Sequence, residues 1–245
     1  DPRLISEIAP AVAQAAMDSG VATRPIENMD AYVQKLNEFV WRSGNVMKPV
    51  MDRAIADPKR VVYAEGEERR VLHAAQVIID EGIAKPILIG RRAVVENRLE
   101  ELGLRIRIDQ DFDLVDPEND DRYQKYWREY HNLQARRGVS PEMARSVIRT
   151  STTAIASMMR KMGEADAMLC GTYGQFQRHL MTVRQIIGRR GEVKDIATMI
   201  GIIMPKGAVF LAATHVAADP DVDELVDMAV LCAQEVRRFG VEPKV

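Results

Sequence analysis

The stretch from Arg60 to Gly90 constrains the fold more than any other part of the chain, because it predicts a complete unit of strand, turn, helix and strand. A short β-prone run opens it, and the turn at Glu65–Glu67 supplies acidic residues that suit the first turn of a helix. Apolar residues then recur at helical spacing up to Gly82, where we expect the helix to end. A second apolar run starts at Ile87. A helix between two such strands predicts a parallel sheet.

The rest of the chain continues this α/β pattern. Further strands are predicted near Phe112–Val115 and Ala167–Cys170, and an antiparallel hairpin and a final helix are predicted at Ile196–Met204, Val209–Ala213 and Asp221–Phe239. Ligands of open parallel sheets bind outside the carboxyl ends of the strands. The turn at Ala64–Arg70 and the loop at Gly171–Gly174 each follow a predicted strand, so we expect both at the edge of a binding site.

Two helical segments precede the first predicted strand. The segment Asp1–Ala22 is amphipathic but has no strand before it on which to pack. The segment Asp30–Ala56 also carries apolar residues at helical spacing, and we expect breaks at Gly44 and Pro49. We interpret it as a helical connector.

Composition excludes several classes of protein. With 245 residues and 47% hydrophobic content the chain can bury a sizeable core. A net charge of -2 gives no overall attraction to nucleic acid or anionic membrane, and the pair Arg189–Arg190 lacks the interleaved aromatics of a nucleic-acid site. No run approaches the ~20 apolar residues of a membrane helix. We therefore predict a cytoplasmic protein with no nucleic-acid or membrane partner.

We predict no metal site in this sequence. Cys170 and Cys232 are isolated and lie in apolar contexts, which indicates buried, reduced thiols and not a disulfide or zinc site. The polar turn at Asp116–Asp121 lacks the central glycine and distant glutamate of a calcium loop. Three further histidines have no partners at metal or triad spacing, and we assign no catalytic residue among them: His73, His131 and His215.

The main candidates for ligand binding lie in and after the loop Gly171–Gly174. There an adenine or a pantetheine chain could stack and hydrogen-bond in a cleft between two α/β subdomains. The residues are Tyr173, Gln175, Arg178, His179 and Arg184.

Two arginine pairs have two interpretations each. Arg69 and Arg70 could bind a phosphate at the end of a strand, or they could be solvent-facing helix residues beside glutamates. Arg136 and Arg137 could clamp a nucleotide 3′-phosphate, or they could be a basic pair that stabilises the carboxyl end of a helix. In both cases the second interpretation is the more ordinary one.

Four segments carry a resemblance to a known family: Ala64–Arg70, Arg137–Ala144, Gly163–Ala167 and Arg237–Val245. Through them the chain resembles the phosphate acetyltransferase family from Asp57 to Val245. The opening segments Asp1–Ile5, Ile8–Val12 and Ala16–Pro25 resemble the last stretch of the cofactor domain of a bacterial malic enzyme. In succession, the two halves resemble the hybrid bacterial malic enzymes, which carry an acetyltransferase-like domain.

This resemblance implies a fold and a division into domains. It implies a malic-enzyme tail at residues 1–26, a connector at 27–56, and two α/β subdomains at 57–148 and 149–245 with a cleft between them. We expect the sequence to break off inside the fold after Val245, so that the first subdomain is incomplete.

The resemblance also implies functions. The parent enzyme would oxidatively decarboxylate malate to pyruvate with NADP and Mg or Mn, and residues upstream of this chain would supply that activity. The portion present here would respond to acetyl-CoA as an effector and help to assemble a homo-oligomer, and it would hold no cofactor itself.

Several residues of the transferase pattern are missing from this chain. Transfer of an acetyl group between phosphate and CoA needs cationic groups for the phosphate, a base for the thiol and a donor for the oxyanion. The resemblance places arginines where this chain has Gln134 and Met181, and polar residues where it has Ala213 and Ala217. The serine and arginine of the family would follow Val245.

Three functions remain in order of preference. The first is a regulatory, acetyl-CoA-sensing domain without transferase activity. The second is an active phosphate acetyltransferase. The third is a purely structural domain that holds subunits together through apolar helix surfaces.

Overall fold

The computed structural model describes residues 3–40, 44–191, 193–204, 207–212, 216 and 219–245. The chain divides into two compact units: Asp1–Asp52 with Val193–Val245, and Arg53–Glu192. Among the described helices, none combines the length and the apolar character needed to cross a membrane.

The elements, in chain order, are α1 (Arg3–Asp18), α2 (Met29–Val40), α3 (Gly44–Ala56), β1 (Lys59–Tyr63), α4 (Arg69–Glu81), β2 (Ala84–Ile89), α5 (Arg92–Glu101), β3 (Asp113–Val115), α6 (Tyr123–Gln134), a 3-10 turn (Ala135–Arg137), α7 (Pro141–Thr150), α8 (Thr152–Lys161), β4 (Ala167–Leu169), α9 (Phe176–Ile186), β5 (Met199–Met204), β6 (Gly207–Ala212) and α10 (Val222–Arg238).

A four-stranded parallel sheet forms the centre of the unit Arg53–Glu192. Its strand order is β3-β2-β1-β4, and Val61 of β1 pairs with Pro86 of β2 on one side and with Ala167 of β4 on the other. The prediction of an α/β fold with a parallel sheet is confirmed. The unit Arg53–Glu192 extends past the predicted boundary after Ile148, because β4 joins the same sheet as the three earlier strands.

The segment Arg60–Gly90 forms the predicted strand, helix and strand. Gly82 ends α4 in the left-handed conformation (φ 66°), and its N–H lies against the carbonyl groups of Ile78 and Ile79. The acidic residues, however, do not form the first turn of the helix. The helix begins at Arg69, and Glu65–Glu67 lie in the preceding turn, because the Gly66 N–H bonds to the Ile89 carbonyl of β2 (2.9 Å).

The core lies on both faces of the sheet, as alternation along parallel strands requires. On one face, Val62 and Ile89 pack with buried residues of α6, α7 and α8. On the other face, Tyr63 and Leu88 pack with Leu72 of α4 and with α5. The aromatic residues of α6 belong to the first of these clusters, since Tyr126 and Tyr130 are buried and Tyr123 and Trp127 pack against it. Apolar burial at roughly 25 cal/mol per Å² therefore stabilises both faces.

The other unit contains helices and an antiparallel hairpin. Strands β5 and β6 pair over their whole length, from Met199 with Ala212 to Met204 with Gly207. Phe210 of β6 contacts Phe239 at the end of α10, with ring centroids 5.3 Å apart. Asp221 caps α10 by accepting a hydrogen bond from the Glu224 N–H (2.8 Å), and the Glu224 side chain returns a bond to Asp221.

The predicted break at Gly44 adjoins residues 41–43, which lie outside the described residues, and it stays a prediction; the predicted break at Pro49 is wrong. Pro49 lies inside α3. It is the sixth residue of the described helix, so its missing N–H removes one backbone hydrogen bond, and the helix nevertheless continues to Ala56.

Candidate functional site

Two turns meet at the carboxyl edge of the parallel sheet. One follows β1 and the other follows β4, and because these strands are neighbours the turns lie side by side. The Ala64 N–H donates to the Leu169 carbonyl (2.9 Å), which extends the pairing up to the start of both turns. These are the two turns, 64–70 and 171–174, that we predicted at the edge of a binding site.

Glu65 joins the two turns. Its side chain is 3% exposed, and its carboxylate accepts hydrogen bonds from the Gly171 N–H (3.0 Å) and from the Thr172 hydroxyl (3.4 Å). Burial of a carboxylate is unfavourable without such donors. Glu65 was not predicted as a site residue, although a glutamate directly after an apolar strand was a usable signal.

Gly66 lets the first turn lie directly on β2. A Cβ atom at this position would come within 2.8 Å of the Ile89 carbonyl oxygen and of the Leu88 Cβ, so a larger residue cannot be accommodated without movement of the strand. The turn is therefore held at a fixed height above the sheet.

His179 supports the second turn. Its Nε2 lies 2.9 Å from the Tyr173 carbonyl and its Nδ1 lies 2.9 Å from the Thr153 hydroxyl. A carbonyl only accepts, so Nε2 carries the hydrogen, and in the neutral ring Nδ1 accepts from Thr153. Glu65 Oε1 lies 4.0 Å from the same Nδ1. Both ring nitrogens are thus used within the protein, and His179 positions the loop.

A cavity of about 380 Å³, which we call the hydroxyl cavity, lies beside this loop. Four of the five residues predicted in and after the Gly171–Gly174 loop line it. The fifth, Arg184, does not line it and lies in the last turn of α9. The lining residues are Thr150, Ser151, Thr152, Thr153, Tyr173, Gly174, Gln175, Arg178, His179 and Thr182.

A second cavity of about 260 Å³, the acidic cavity, adjoins the first through Thr152 and Tyr173, which line both. Three glutamates of the first turn line it, and Arg98 is the basic residue in its wall. The lining residues are Ala64, Glu65, Glu67, Glu68, Ile89, Arg98, Thr152 and Tyr173.

Two of the glutamates that line the acidic cavity, Glu67 and Glu68, pair with neighbouring arginines. Hydrogen bonds from Arg91 lower the pKa of Glu67 below its ordinary value, and Arg98 donates to the Glu67 carbonyl. Glu68 forms an ion pair with Arg70 (3.3 Å). The Glu67 carboxylate is therefore favoured in its charged form.

Neither Arg69 nor Arg70 lines the hydroxyl cavity or the acidic cavity. Arg69 forms an exposed ion pair with Glu101 (2.5 Å). Arg70 donates to the Thr172 carbonyl (3.1 Å) and so ties α4 to the second turn. Both arginines thus contact groups of the protein itself, which fits the second interpretation, that of solvent-facing helix residues.

Arg136 and Arg137 lie in the 3-10 turn after α6, and both are exposed. Arg137 donates to the Gln134 side chain (3.4 Å). Neither residue lines the two cavities, and their position after a helix fits the interpretation as a basic pair at its carboxyl end.

Two positions where the resemblance places arginine hold neutral residues of opposite exposure. Gln134 is 3% exposed and its amide donates to the Gln185 carbonyl (2.7 Å), while Met181 on α9 is 58% exposed. The other two positions, Ala213 and Ala217, lie outside the described residues, as does His215.

Cys170 follows β4 and is half-buried, not fully buried as predicted; Cys232 is also half-buried. Burial, and then the nearby Glu65 carboxylate, raise the pKa of the Cys170 thiol to about 11. Such a thiol is a poor nucleophile at neutral pH. Over the part of the chain that the structure describes, no group of three metal-binding side chains converges.

Comparison with known proteins agrees with this architecture. Residues 45–245 match the family model described as "Phosphate acetyl/butaryl transferase". The whole chain is 51% identical to an NADP-dependent malic enzyme of Salmonella typhimurium and 52% identical to an NAD-dependent malic enzyme of Rhizobium meliloti, and covers 32% of each. It thus spans about a third of the length of these curated relatives.

A solved phosphotransacetylase from Streptococcus pyogenes has the same fold. The structures superpose with a TM-score of 0.74 at 24% identity, over 83% of this chain and 60% of the other. The parallel sheet, the two turns at its carboxyl edge and the match over residues 45–245 lead to one assignment: the chain belongs to the phosphate acetyl/butaryl transferase family.

Proposed function

We propose that this chain is the acetyl-CoA-sensing, oligomer-forming portion of a malic enzyme and does not transfer acetyl groups. The observation that carries the proposal is the state of Gln134. Its side chain is buried and bonded to a backbone carbonyl of α9, so the position provides no cation for a phosphate. Met181 adds an exposed thioether where the resemblance places a second arginine.

The two adjoining cavities support ligand binding without transfer. Volumes of about 380 and 260 Å³ suit parts of a ligand as large as acetyl-CoA, since small-molecule sites span roughly 300–1,000 Å³. Their walls offer hydroxyls, carboxylates and an exposed tyrosine. His179, the histidine of this region, already uses both ring nitrogens within the protein.

The catalytic part of the parent would lie in residues that this chain does not contain. There, malate would be oxidatively decarboxylated to pyruvate with NADP and Mg or Mn. The similarity over the whole chain to malic enzymes about three times its length supports this assignment. Both NADP-dependent and NAD-dependent enzymes occur among these relatives. We propose NADP as the cofactor of the parent enzyme.

Exposed apolar side chains support the oligomer-forming role. In the unit that contains Val193–Val245, both strands of the hairpin and one side of α10 expose large hydrophobic residues, and such surface usually marks an interaction site. The residues are Ile200, Ile202, Ile203, Met204, Val209, Leu211, Val222, Leu225, Val226 and Val230.

The alternative function is phosphate acetyltransferase. The family match over residues 45–245 favours it, because the family model describes a transferase. In that reaction phosphate would attack the acetyl carbonyl of acetyl-CoA, acetyl phosphate would form, and the CoA thiol would leave with a proton.

A thiol-release assay separates the two functions. The chain is incubated with acetyl-CoA and phosphate, and free CoA is followed with a thiol reagent against a blank without acetyl-CoA, which accounts for Cys170 and Cys232. The proposal expects the same rate of thiol release with and without protein. Protein-dependent release that requires phosphate would replace the proposal with the transferase.

A further inference from the structure

The hydroxyl cavity and the acidic cavity differ in charge, and this difference orients a ligand that spans them. Glu65, Glu67 and Glu68 line the acidic cavity, together with Arg98, which donates to the Glu67 carbonyl. The described lining of the hydroxyl cavity contains Arg178 and no carboxylate. Like charges in a partly desolvated space repel strongly. Phosphate groups therefore belong on the Arg178 side.

The amino end of α9 reinforces this preference. Gln175 precedes the helix and its side chain makes no capping bond, in contrast to Ser151, which caps α8 through the Ala154 N–H. Gln175 and Arg178 both line the hydroxyl cavity. Uncapped N–H groups and an exposed guanidinium on one cavity wall suit an anion.

Tyr173 lies where the two cavities adjoin. Its side chain is 60% exposed, although its backbone is fixed by the hydrogen bond between its carbonyl and His179. An exposed aromatic ring on a fixed backbone offers a flat apolar surface to a planar ring. A planar base that carries hydrogen-bond donors suits the carboxylate side of this ring, since ionised carboxylates only accept.

We propose that Tyr173 and Arg178 bind the adenine nucleotide end of the ligand, with the base stacked on Tyr173 towards the acidic cavity and the phosphates beside Arg178. This inference rests on the proposed binding of acetyl-CoA and specifies which end of that ligand the loop 171–175 holds. All of the groups involved lie within the unit Arg53–Glu192.

Competition between pieces of the ligand tests the orientation. The chain is titrated with acetyl-CoA, with adenosine 3′,5′-bisphosphate as the nucleotide end alone, and with acetyl phosphate. We expect the bisphosphate to bind and to displace acetyl-CoA, and acetyl phosphate to displace neither at the same concentrations.

Two substitutions locate the binding. Tyr173→Ala should weaken both acetyl-CoA and the bisphosphate about tenfold, because base stacking is lost, whereas Tyr173→Phe should stay within about twofold. Arg178→Ala should weaken the bisphosphate about tenfold, and Arg178→Lys should recover part of the loss. Circular dichroism of each variant checks that the fold is intact.

The outcomes separate this inference from the proposed function. If acetyl-CoA binds but the bisphosphate does not, or if Tyr173→Ala binds both as the unmodified chain does, the orientation is wrong and the acetyl-CoA proposal stands. If the bisphosphate binds and acetyl-CoA does not, the nucleotide site stands and the sensor proposal fails. If neither ligand binds, both are overturned.

Discussion

The side-chain amide of Gln134 donates a 2.7 Å hydrogen bond to the backbone carbonyl of Gln185, and so joins the end of α6 to the end of α9. This contact gives a structural role to a position where the family resemblance places a phosphate-binding arginine. A residue that is 3% exposed and bonded to the backbone stabilises the packing of two helices.

Gln134→Ala should therefore lower the free energy of unfolding by about 0.5–1.5 kcal/mol, because the hydrogen bond between α6 and α9 is lost. Gln134→Arg should destabilise the chain as well, since a guanidinium would have to be buried, and it should not create thiol release from acetyl-CoA. Urea unfolding measures both variants. The exposed Gln177→Ala on α9 is the matched control, and a stable Gln134→Arg variant with new transferase activity would contradict this account.

Gly66 should tolerate no side chain, because a Cβ would come within 2.8 Å of β2. We expect Gly66→Ala to reduce stability by about 1–3 kcal/mol through overpacking. Gly191→Ala makes the same chemical change at a position with no atom within 4 Å of the added Cβ, and should stay within about 0.5 kcal/mol. Equal unfolding midpoints for the two variants would show that the turn after β1 can move away from the sheet.

Parts of the fold followed directly from local patterns. The spacing of apolar residues and the position of Gly82 predicted β1, α4 and β2. These three elements follow one another directly, so the signals that predict them lie close together in the sequence. The role of Glu65 could not be predicted in this way. Its partners in the second turn are 106 and 107 residues away, and its burial depends on β4 joining the sheet beside β1. Sequence spacing carries no signal for such a non-local pairing.

The same contrast between local patterns and non-local contacts applies to the candidate site. The loop after β4 was predicted from its glycines, and four of its five predicted residues line one cavity. The arginines at 69, 70, 136 and 137 were distinguishable only by their contacts, because the same pair at a helix end can bind a ligand or a neighbouring carboxylate. Whether any of these residues contacts acetyl-CoA stays a prediction.

The Cys170 thiol should react slowly with alkylating reagents. Burial and then the Glu65 carboxylate raise its pKa to about 11, so only about one thiol in a thousand is ionised at pH 8. In a Cys232→Ser background, the rate of alkylation by iodoacetamide should rise about tenfold per pH unit up to pH 9.5 without a plateau. Glu65→Gln should accelerate the reaction at each pH. A plateau near pH 9 would contradict the raised pKa of the thiol, of which burial is the main cause.

Glu164 should make stability depend on pH in the acid range. Burial alone would raise its pKa, but hydrogen bonds from Tyr126 and Lys125 outweigh burial and lower the pKa below 4.5. The charged form is therefore favoured by folding. Its contribution is fully present above pH 4.5 and is lost as the pH falls through the lowered pKa of the folded state.

Glu164→Gln should accordingly cost about 1.5–3 kcal/mol at pH 7, the usual range for a hydrogen bond to a charged group. Urea unfolding of both chains at pH 7 and pH 3 measures the difference, which should shrink at pH 3. An equal difference at both pH values would mean that the ionised carboxylate is not what the network stabilises.

Calorimetric titration of acetyl-CoA into the chain in phosphate buffer tests the central claim most directly, because it records binding and turnover in one experiment. The account predicts a saturable binding isotherm, after which the heat signal returns to the baseline. A sustained heat that depends on phosphate would show acetyl transfer and contradict the account, and the absence of any binding heat would contradict the sensor role.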